Sequence, residues 1–206
     1  MPRLMSGDGG GPPSPTPAGT TERNEPMSTL AYPSADFPGQ PSVALEVPEG
    51  WEPAHAPGTT MAARLPREGA FAPNVVVTIE QCGPSFRIED SLEQIASLAT
   101  SRGGAVSEPY AADLGGAQFV GCDATWPDAD VETVLQANLF HLVTSEASAS
   151  ADAPAHLVQL TGAVGGADAV ADYERIRQVL TTARVTPWGA AADTDAGAAT
   201  DVDVDA

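Results

Sequence analysis

The sequence predicts an α+β fold, a mostly antiparallel sheet flanked by helices, on the strength of three observations. Alternation of apolar and polar residues, the pattern of half-buried strands, dominates the middle of the chain. Helical spacing appears in only two segments, which begin near residues 88 and 168. Most predicted strands follow one another through short connections, which favours antiparallel pairing. We therefore expect a layered domain in which two helices bury their apolar stripes on one sheet.

The strand pattern recurs in seven segments. They are residues 43–47, 60–65, 74–82, 106–110, 117–126, 131–144 and 156–164. The strongest is NVVVTIEQC (74–82), because β-branched residues crowd it and proline or glycine residues bound it. In the segment 131–144, alternate apolar residues share one face; they are Val131, Leu135, Leu139 and Val143.

Apolar residues at helical spacing mark the first helix: Ile88, Leu92, Ile95 and Ala99. Asp90 and Glu93 have the spacing of a capping box, and Gly103 can end the helix. A second stripe predicts a helix over residues 168–184, stopped by Pro187; its members are Val170, Tyr173, Ile176 and Leu180.

Composition divides the chain into three parts. Residues 1–27 are rich in Gly and Pro and nearly devoid of apolar side chains, so we expect a disordered N-terminal extension. Residues 189–206 carry five Asp and no basic residue, which predicts a disordered acidic tail. The segment 28–188 is large enough to form one folded domain.

Charge and hydropathy exclude several classes of partner. The chain has 206 residues and a net charge of -19, and all nine basic residues are arginines. Such a charge repels nucleic-acid phosphate and anionic lipid, so we expect no nucleic-acid partner. No apolar run is long enough to span a membrane and no secretory signal is recognisable. We therefore predict no membrane insertion and a cytoplasmic location, with export by a non-classical route left open.

Two short motifs carry a family resemblance. VPEGW (residues 47–51), followed about 22 residues later by APNVVVTIE (72–80), resembles the LpqN family of actinobacterial lipoproteins. The resemblance covers residues 28–188 and implies a Mog1/PsbP-like fold, with no catalytic residues and an accessory or binding role. The chain departs from the family because the export signal and the lipidated N-terminal cysteine are missing.

The two cysteines and three histidines are the candidate reactive groups of the chain. Cys82 and Cys122 are predicted to be buried, reduced thiols in two strands, although neighbouring strands would permit a disulfide. His141 and His156 could approach each other across the loop 145–154, with Asp152 as a conceivable third metal ligand. The favoured interpretation is two partly exposed strand residues. His55 has no evident partner.

Three further patterns have structural interpretations that we favour over functional ones. The segment Gly162–Gly166 lies where a phosphate loop would, but it fits no phosphate-binding motif, and Asp168 would repel phosphate. Trp51 and Trp126 could line a groove, but more often such residues cap a core. Carboxylates cluster near the sequence TWPDADVE and predict a solvated acidic turn rather than a cation site: Asp123, Asp128, Asp130 and Glu132.

The sequence therefore assigns no catalytic, cofactor-binding or metal-binding residue and leaves the binding residues unknown. We expect a non-catalytic accessory or binding domain without a cofactor. Its partner would be a protein with a basic surface or a small apolar ligand. The alternatives are a Cys/His-dependent enzyme or metal-binding protein, and a secretion-associated partner protein.

Overall fold

The computed structural model describes residues 32–34, 39–144 and 155–189, which form ten strands and two helices. In chain order these are β1 (Ser42–Ala44), β2 (Glu52–Ala54), β3 (Met61–Arg64), β4 (Asn74–Cys82), α1 (Ile88–Ser101), β5 (Ala105–Val106), β6 (Tyr110–Leu114), β7 (Ala117–Asp128), β8 (Glu132–Val143), β9 (Ala155–Gly165), α2 (Ala169–Thr181) and β10 (Arg184–Thr186). The predicted extension 1–27, the loop 145–154 and the tail beyond Gly189 lie outside the described residues.

Eight of the strands form one antiparallel sheet. Its order is β2-β3-β4-β9-β8-β7-β5, and β6 also pairs with β7. The four longest strands lie side by side in the middle, where β8 and β9 pair from Val134 opposite Gly165 to Val143 opposite His156. β1 and β10 form a separate two-stranded sheet. The predicted α+β fold with an antiparallel sheet flanked by helices is confirmed.

The main core lies between one face of the sheet and α2. Leu139 and Leu160 are paired across β8 and β9 and pack in one cluster with Ile176 and Leu180 of α2. Both α2 side chains are at most 1% exposed. Burying each such side chain contributes about 1.5–3 kcal/mol, so this layer accounts for much of the stability of the fold.

The helix α1 covers the opposite face. Phe140, which follows Leu139 on β8, is 1% exposed and belongs to a second cluster that includes Leu92 and Ile95 of α1. Because successive strand residues point to opposite faces, α1 and α2 lie on opposite sides of the sheet. The middle of β8 is therefore buried on both faces, whereas its alternation predicted one buried face.

The helix α1 ends where the predicted glycine signal lies, but it does not begin at the predicted capping box. Gly103 has φ 72°, its N–H donates to Thr100 O (3.0 Å), and the next N–H, of Gly104, donates to Ala99 O (2.8 Å). These two bonds make a Schellman motif, which confirms the predicted stop. The predicted capping box is wrong, because the helix begins at Ile88, before Asp90, and its N-cap makes no side-chain hydrogen bond.

The edges of the domain depart most from the predicted strands. β1 ends at Ala44, before two of the alternating residues, since it pairs only with the short β10. The strand predicted at 106–110 is two strands, β5 and β6, separated by Ser107–Pro109. Neither β2, which contains Pro53, nor β10 was predicted. Short edge strands carry little periodic signal, so propensity alone does not reveal them.

The apolar stripe of α2 is rotated from the predicted one. Val170 is 76% exposed, whereas Asp172 is fully buried. The helix also ends at Thr181, three residues before Arg184, which enters β10. Two arginines bind the Asp172 carboxylate, and this pairing lets a charged residue occupy a core position that the pattern assigned to apolar ones.

Candidate functional site

The two cysteines are separate buried thiols. Cys82 lies on β4 and Cys122 on β7, with β9 and β8 between them. Three strand spacings alone separate their Cα atoms by roughly 14 Å, about twice the limit for a disulfide. Cys82 pairs with Ala155, whereas Cys122 aligns through Asn138 with Thr161, so the offset along the strands separates the two thiols further. Burial raises the pKa of both thiols. For Cys122 the pKa rises to about 11, because the charge of the neighbouring Asp123 adds to the effect of burial. This agrees with the predicted reduced thiols and rules out a disulfide between them.

The structure places the two strand histidines on the same face of the sheet, on neighbouring strands and offset by two residues. His141 lies opposite Val158 and His156 lies opposite Val143 on the paired strands β8 and β9. The proposed third ligand, Asp152, lies outside the described residues. Within the described ranges, no three His, Cys, Asp or Glu side chains come together as metal ligands.

The surroundings of each histidine indicate a structural role within the sheet. His141 Nδ1 lies 2.8 Å from the carbonyl of Gln118, so Nδ1 carries the hydrogen, and the ring packs 5.0 Å from that of Phe119. His156 is only 7% exposed rather than partly exposed as predicted, and burial lowers its pKa.

The glycines of the predicted strand-to-helix turn serve packing. Gly162 and Gly165 lie within β9 rather than in a loop. A Cβ on Gly162 would lie 2.7 Å from Ile176 Cδ1, so its absence lets α2 approach the sheet. Asp168 precedes α2 and lies 3.5 Å from an Arg67 nitrogen. These contacts favour a structural role over phosphate binding.

The acidic turn retains three of its four predicted members. Asp128 Oδ1 accepts the N–H groups of Asp130 (3.0 Å) and Val131 (3.2 Å), which orders the β7–β8 turn. Glu132 follows at φ 62°, and the turn around it is closed by Thr133 N–H donating to Val131 O. The fourth carboxylate, Asp123, lies further back on β7 in different surroundings.

The two tryptophans do not line a common groove. Trp51 packs against the main core, on the α2 side of the sheet. Trp126 is 6% exposed and packs with Ala99 of α1, and the Arg102 guanidinium lies 4.8 Å from its ring centroid. They therefore sit on opposite faces and cap different parts of the core.

A polar cluster that the sequence did not predict joins α2 to the β6–β7 pair. The Tyr110 hydroxyl donates to Asp123 Oδ1 (2.9 Å) and accepts from Arg177 Nη1 (2.9 Å). Arg177 and Asp123 are 3.8 Å apart, with side chains 39% and 35% exposed. The buried Tyr173 hydroxyl lies near the same carboxylate. Two phenols, one guanidinium and one carboxylate thus converge at a half-exposed surface.

The cluster holds its protons tightly. Burial, reinforced by the Asp123 carboxylate, raises the pKa of Tyr110 and of Tyr173. Burial alone would lower the pKa of Arg177, but both tyrosines and Asp123 raise it. At neutral pH the phenols are protonated, and Arg177 and Asp123 form an ion pair. The cluster is therefore better suited to joining α2 to the β6–β7 pair than to acid–base chemistry.

A local signal for this cluster existed in the sequence. Tyr173 and Arg177 are four residues apart on a helix and share a face. Gly121, which pairs with Tyr110, and Asp123 are two residues apart on one strand and also share a face. These local patterns do not specify which face of the helix packs against which strand, because that contact is set by the tertiary fold.

The described arginines are almost all used inside the domain. Six of the seven pair with carboxylates: Arg64 with Glu52, Arg67 with Asp168 and Asp172, Arg87 with Glu89, Arg175 with Asp172, Arg177 with Asp123, and Arg184 with Glu46. The seventh, Arg102, lies over Trp126 at the end of α1.

Many carboxylates have no such partner. In the described part of the chain, those without an arginine at salt-bridge distance are Glu49, Glu68, Glu80, Asp90, Glu93, Glu108, Asp113, Asp128, Asp130, Glu132 and Glu174. All of them are exposed except Asp128, which is half-buried. The charge that this surface offers for pairing with a partner is therefore negative.

Concave features of the described surface are shallow. A cleft of about 320 Å³ borders the β2–β3 connection and includes His55. A second, of about 490 Å³, is lined by Phe71 and Val131 among others, and a third, of about 360 Å³, by Trp126 and its neighbours. Among the described residues, no helix has the length and apolar character needed to cross a membrane.

Comparison with solved structures supports the fold. The crystal structure of LpqN of Mycobacterium tuberculosis, described as involved in cell envelope biogenesis, shares 15% identity at a TM-score of 0.58 over 73% of this chain and 86% of LpqN. Weaker likenesses are a cyanobacterial PsbP from Synechocystis, at 10% identity and TM-score 0.45 over 77% and 98% of the two chains, and a Pseudomonas aeruginosa protein of unknown function, at 14% and 0.40 over 70% and 95%.

Comparisons of sequence give less. No protein-family model matches the chain, and no curated protein matches it. At 15% identity, the likeness to LpqN is a likeness of fold. The Mog1/PsbP-like fold implied by the two sequence motifs is thereby confirmed, and the chain is LpqN-like in its structure.

Proposed function

We propose that this chain is a non-catalytic binding domain that recognises a partner protein through a basic surface on that partner. The observation that carries the proposal is the use of arginine. Six of the seven described arginines are paired with the domain's own carboxylates, so the exposed carboxylates that remain have no arginine partner among the described residues. A surface of one sign attracts partners of the other sign and accelerates their encounter.

Two further features favour this proposal over the alternatives. A Cys/His-dependent enzyme would need a reactive thiol, whereas the pKa of Cys82 and of Cys122 is raised by burial. A small apolar ligand would need a groove between sheet and helix. The described interfaces are instead filled by side chains such as Ile176, and the three clefts named above are open to solvent.

The likeness to LpqN suggests which partners to test first. LpqN is described as involved in cell envelope biogenesis. Basic proteins associated with the envelope are therefore the first class of candidates, and a secretion-associated partner would belong to it. The cytoplasmic location stays a prediction, which cell fractionation with an antibody to the chain would test.

The proposal is tested by capture followed by kinetics. Immobilised full-length chain is incubated with an extract of the producing cells, and the captured protein is purified and re-tested alone. We expect its exposed surface to be basic and its capture to fail near 1 M salt, where the Debye length is about 3 Å. An acidic partner that is retained equally at high salt would contradict the proposal.

A further inference from the structure

A cleft of about 490 Å³ in the described part of the chain combines an apolar floor with an acidic rim. Three turns meet around it: the one before β4, the β7–β8 turn, and the connection from β9 to α2. Phe71 and Val131 supply the apolar part of its lining, and Asp130 and Glu132 supply the carboxylates. Gly69, Ala70, Gly166 and Ala167 complete the lining and add no side chain that would fill it.

Among the described residues, no arginine pairs with the carboxylates of this rim. Asp130 and Glu132 are exposed, and no described arginine lies within salt-bridge distance of either. Arg67 lies on the adjoining loop, but its guanidinium is held by the buried Asp172 carboxylate at 2.6 Å. Glu68, next to the cleft-lining Gly69, is also exposed and unpaired. The local field at the cleft is therefore negative.

We infer that this cleft receives an arginine side chain of the partner; the inference rests on the proposed function and names its point of contact. The aliphatic stem of an arginine would pack on Val131, its planar guanidinium suits the Phe71 ring, and its donors suit the rim carboxylates. An anionic headgroup would be repelled by the rim. A purely apolar group would bury the carboxylates without pairing them, which is costly.

Arginine fits better than lysine for two physical reasons. The guanidinium is weakly hydrated and stacks on aromatic rings, whereas an ammonium is a strongly hydrated point charge. Its fork can also reach two carboxylates at once, and Asp130 and Glu132 are presented by the same turn. Affinity should therefore fall in the order arginine, lysine, uncharged isostere.

The test uses ¹⁵N-labelled full-length chain and the end-blocked peptide Ac-Gly-Leu-Arg-Leu-Gly-NH₂ at low salt. Two comparison peptides carry lysine or the uncharged isostere citrulline instead of arginine. We expect saturable shifts of the amides of Gly69, Val131 and Gly166 with the arginine peptide, smaller ones with lysine, and none with citrulline.

Two doubly substituted chains of equal net charge separate the cleft from the general field. Asp130→Asn with Glu132→Gln should weaken binding about fivefold or more. The matched control, Asp90→Asn with Glu93→Gln on α1, should change it less than about twofold, because those exposed carboxylates lie outside the cleft. Their unperturbed amide spectra would show that both variants fold.

Each remaining outcome overturns the inference in a recognisable way. Arginine-dependent shifts that map to α1, or equal weakening by both variants, would remove the cleft but leave a basic partner in place. Saturable cleft binding that is equal for arginine and citrulline would show that charge plays no part in the cleft. No saturable shift with any peptide, while a captured basic partner still binds, would also overturn the cleft. If no basic ligand of any kind binds, the proposed function fails as well.

Discussion

Replacing Arg67 by methionine should destabilise the fold by about 2–4 kcal/mol, although the arginine lies on a loop. Its partner, Asp172, is fully buried in α2 and accepts Arg67 Nη2 at 2.6 Å and Arg175 Nη1 at 3.0 Å. The second carboxylate oxygen, Asp172 Oδ2, is buried and has no hydrogen-bond partner among the described residues. Loss of Arg67 would leave a buried carboxylate with one partner that is itself 54% exposed.

The magnitude of the destabilisation follows from how deeply each charged group is buried: Asp172 is fully buried, whereas the Arg67 and Arg175 side chains are 22% and 54% exposed. Breaking a buried pair from one side costs about 3–5 kcal/mol, and the remaining contact to Arg175 should reduce that cost. Removing Arg175 instead deletes a largely solvent-screened contact and should cost about 1 kcal/mol or less. The two arginines thus provide a matched comparison on one carboxylate.

Urea unfolding followed by circular dichroism measures both variants. A double-mutant cycle with Asp172→Asn isolates the pair, and we expect a coupling free energy of about 1–3 kcal/mol between Arg67 and Asp172. An unchanged m-value would show that the unfolding transition exposes the same surface. Equal, small losses for Arg67→Met and Arg175→Met would refute the claim that Asp172 is a buried anchor.

Three other predictions follow from single sites. Because burial lowers the pKa of His156, the unfolded chain takes up the proton more readily, so the free energy of unfolding should fall as pH drops through about 6.5, and His156→Leu should lessen that dependence in urea titrations. Gly162→Ala should cost about 1–3 kcal/mol, since its Cβ would lie 2.7 Å from an α2 side chain, whereas Gly83→Ala, with open space, should change stability by less than about 0.5 kcal/mol in thermal unfolding. Cys82 and Cys122 should react slowly with a thiol reagent in the native chain and rapidly in urea; fast native labelling would contradict their burial.

Local signals predicted the elements that depend on local structure. The strand Asn74–Cys82 matches its predicted bounds because a run of five β-branched residues, 75–79, lies between proline and glycine breaks. Gly103 ends α1 because only its left-handed conformation is needed, whatever packs nearby. Both features are properties of a few neighbouring residues.

Features set by tertiary contacts were not predicted. Asp172 occupies a core position because Arg67, more than a hundred residues earlier, neutralises it, and no periodicity contains that information. Tyr110 and Arg177 meet only because α2 crosses the β6–β7 pair. The sequence predicts that the Asp130–Glu132 turn is acidic, but the apolar floor beneath it includes Phe71 from another loop.

The most direct test of the account is the association rate of the chain with its captured partner as a function of ionic strength. The binding proposal predicts that this rate falls steeply with salt while the dissociation rate changes little. Deleting residues 190–206, which hold five Asp, should remove a part of the salt-sensitive association rate and leave the dissociation rate unchanged. An association rate that is constant with salt, toward a partner whose surface is not basic, would contradict the central claim.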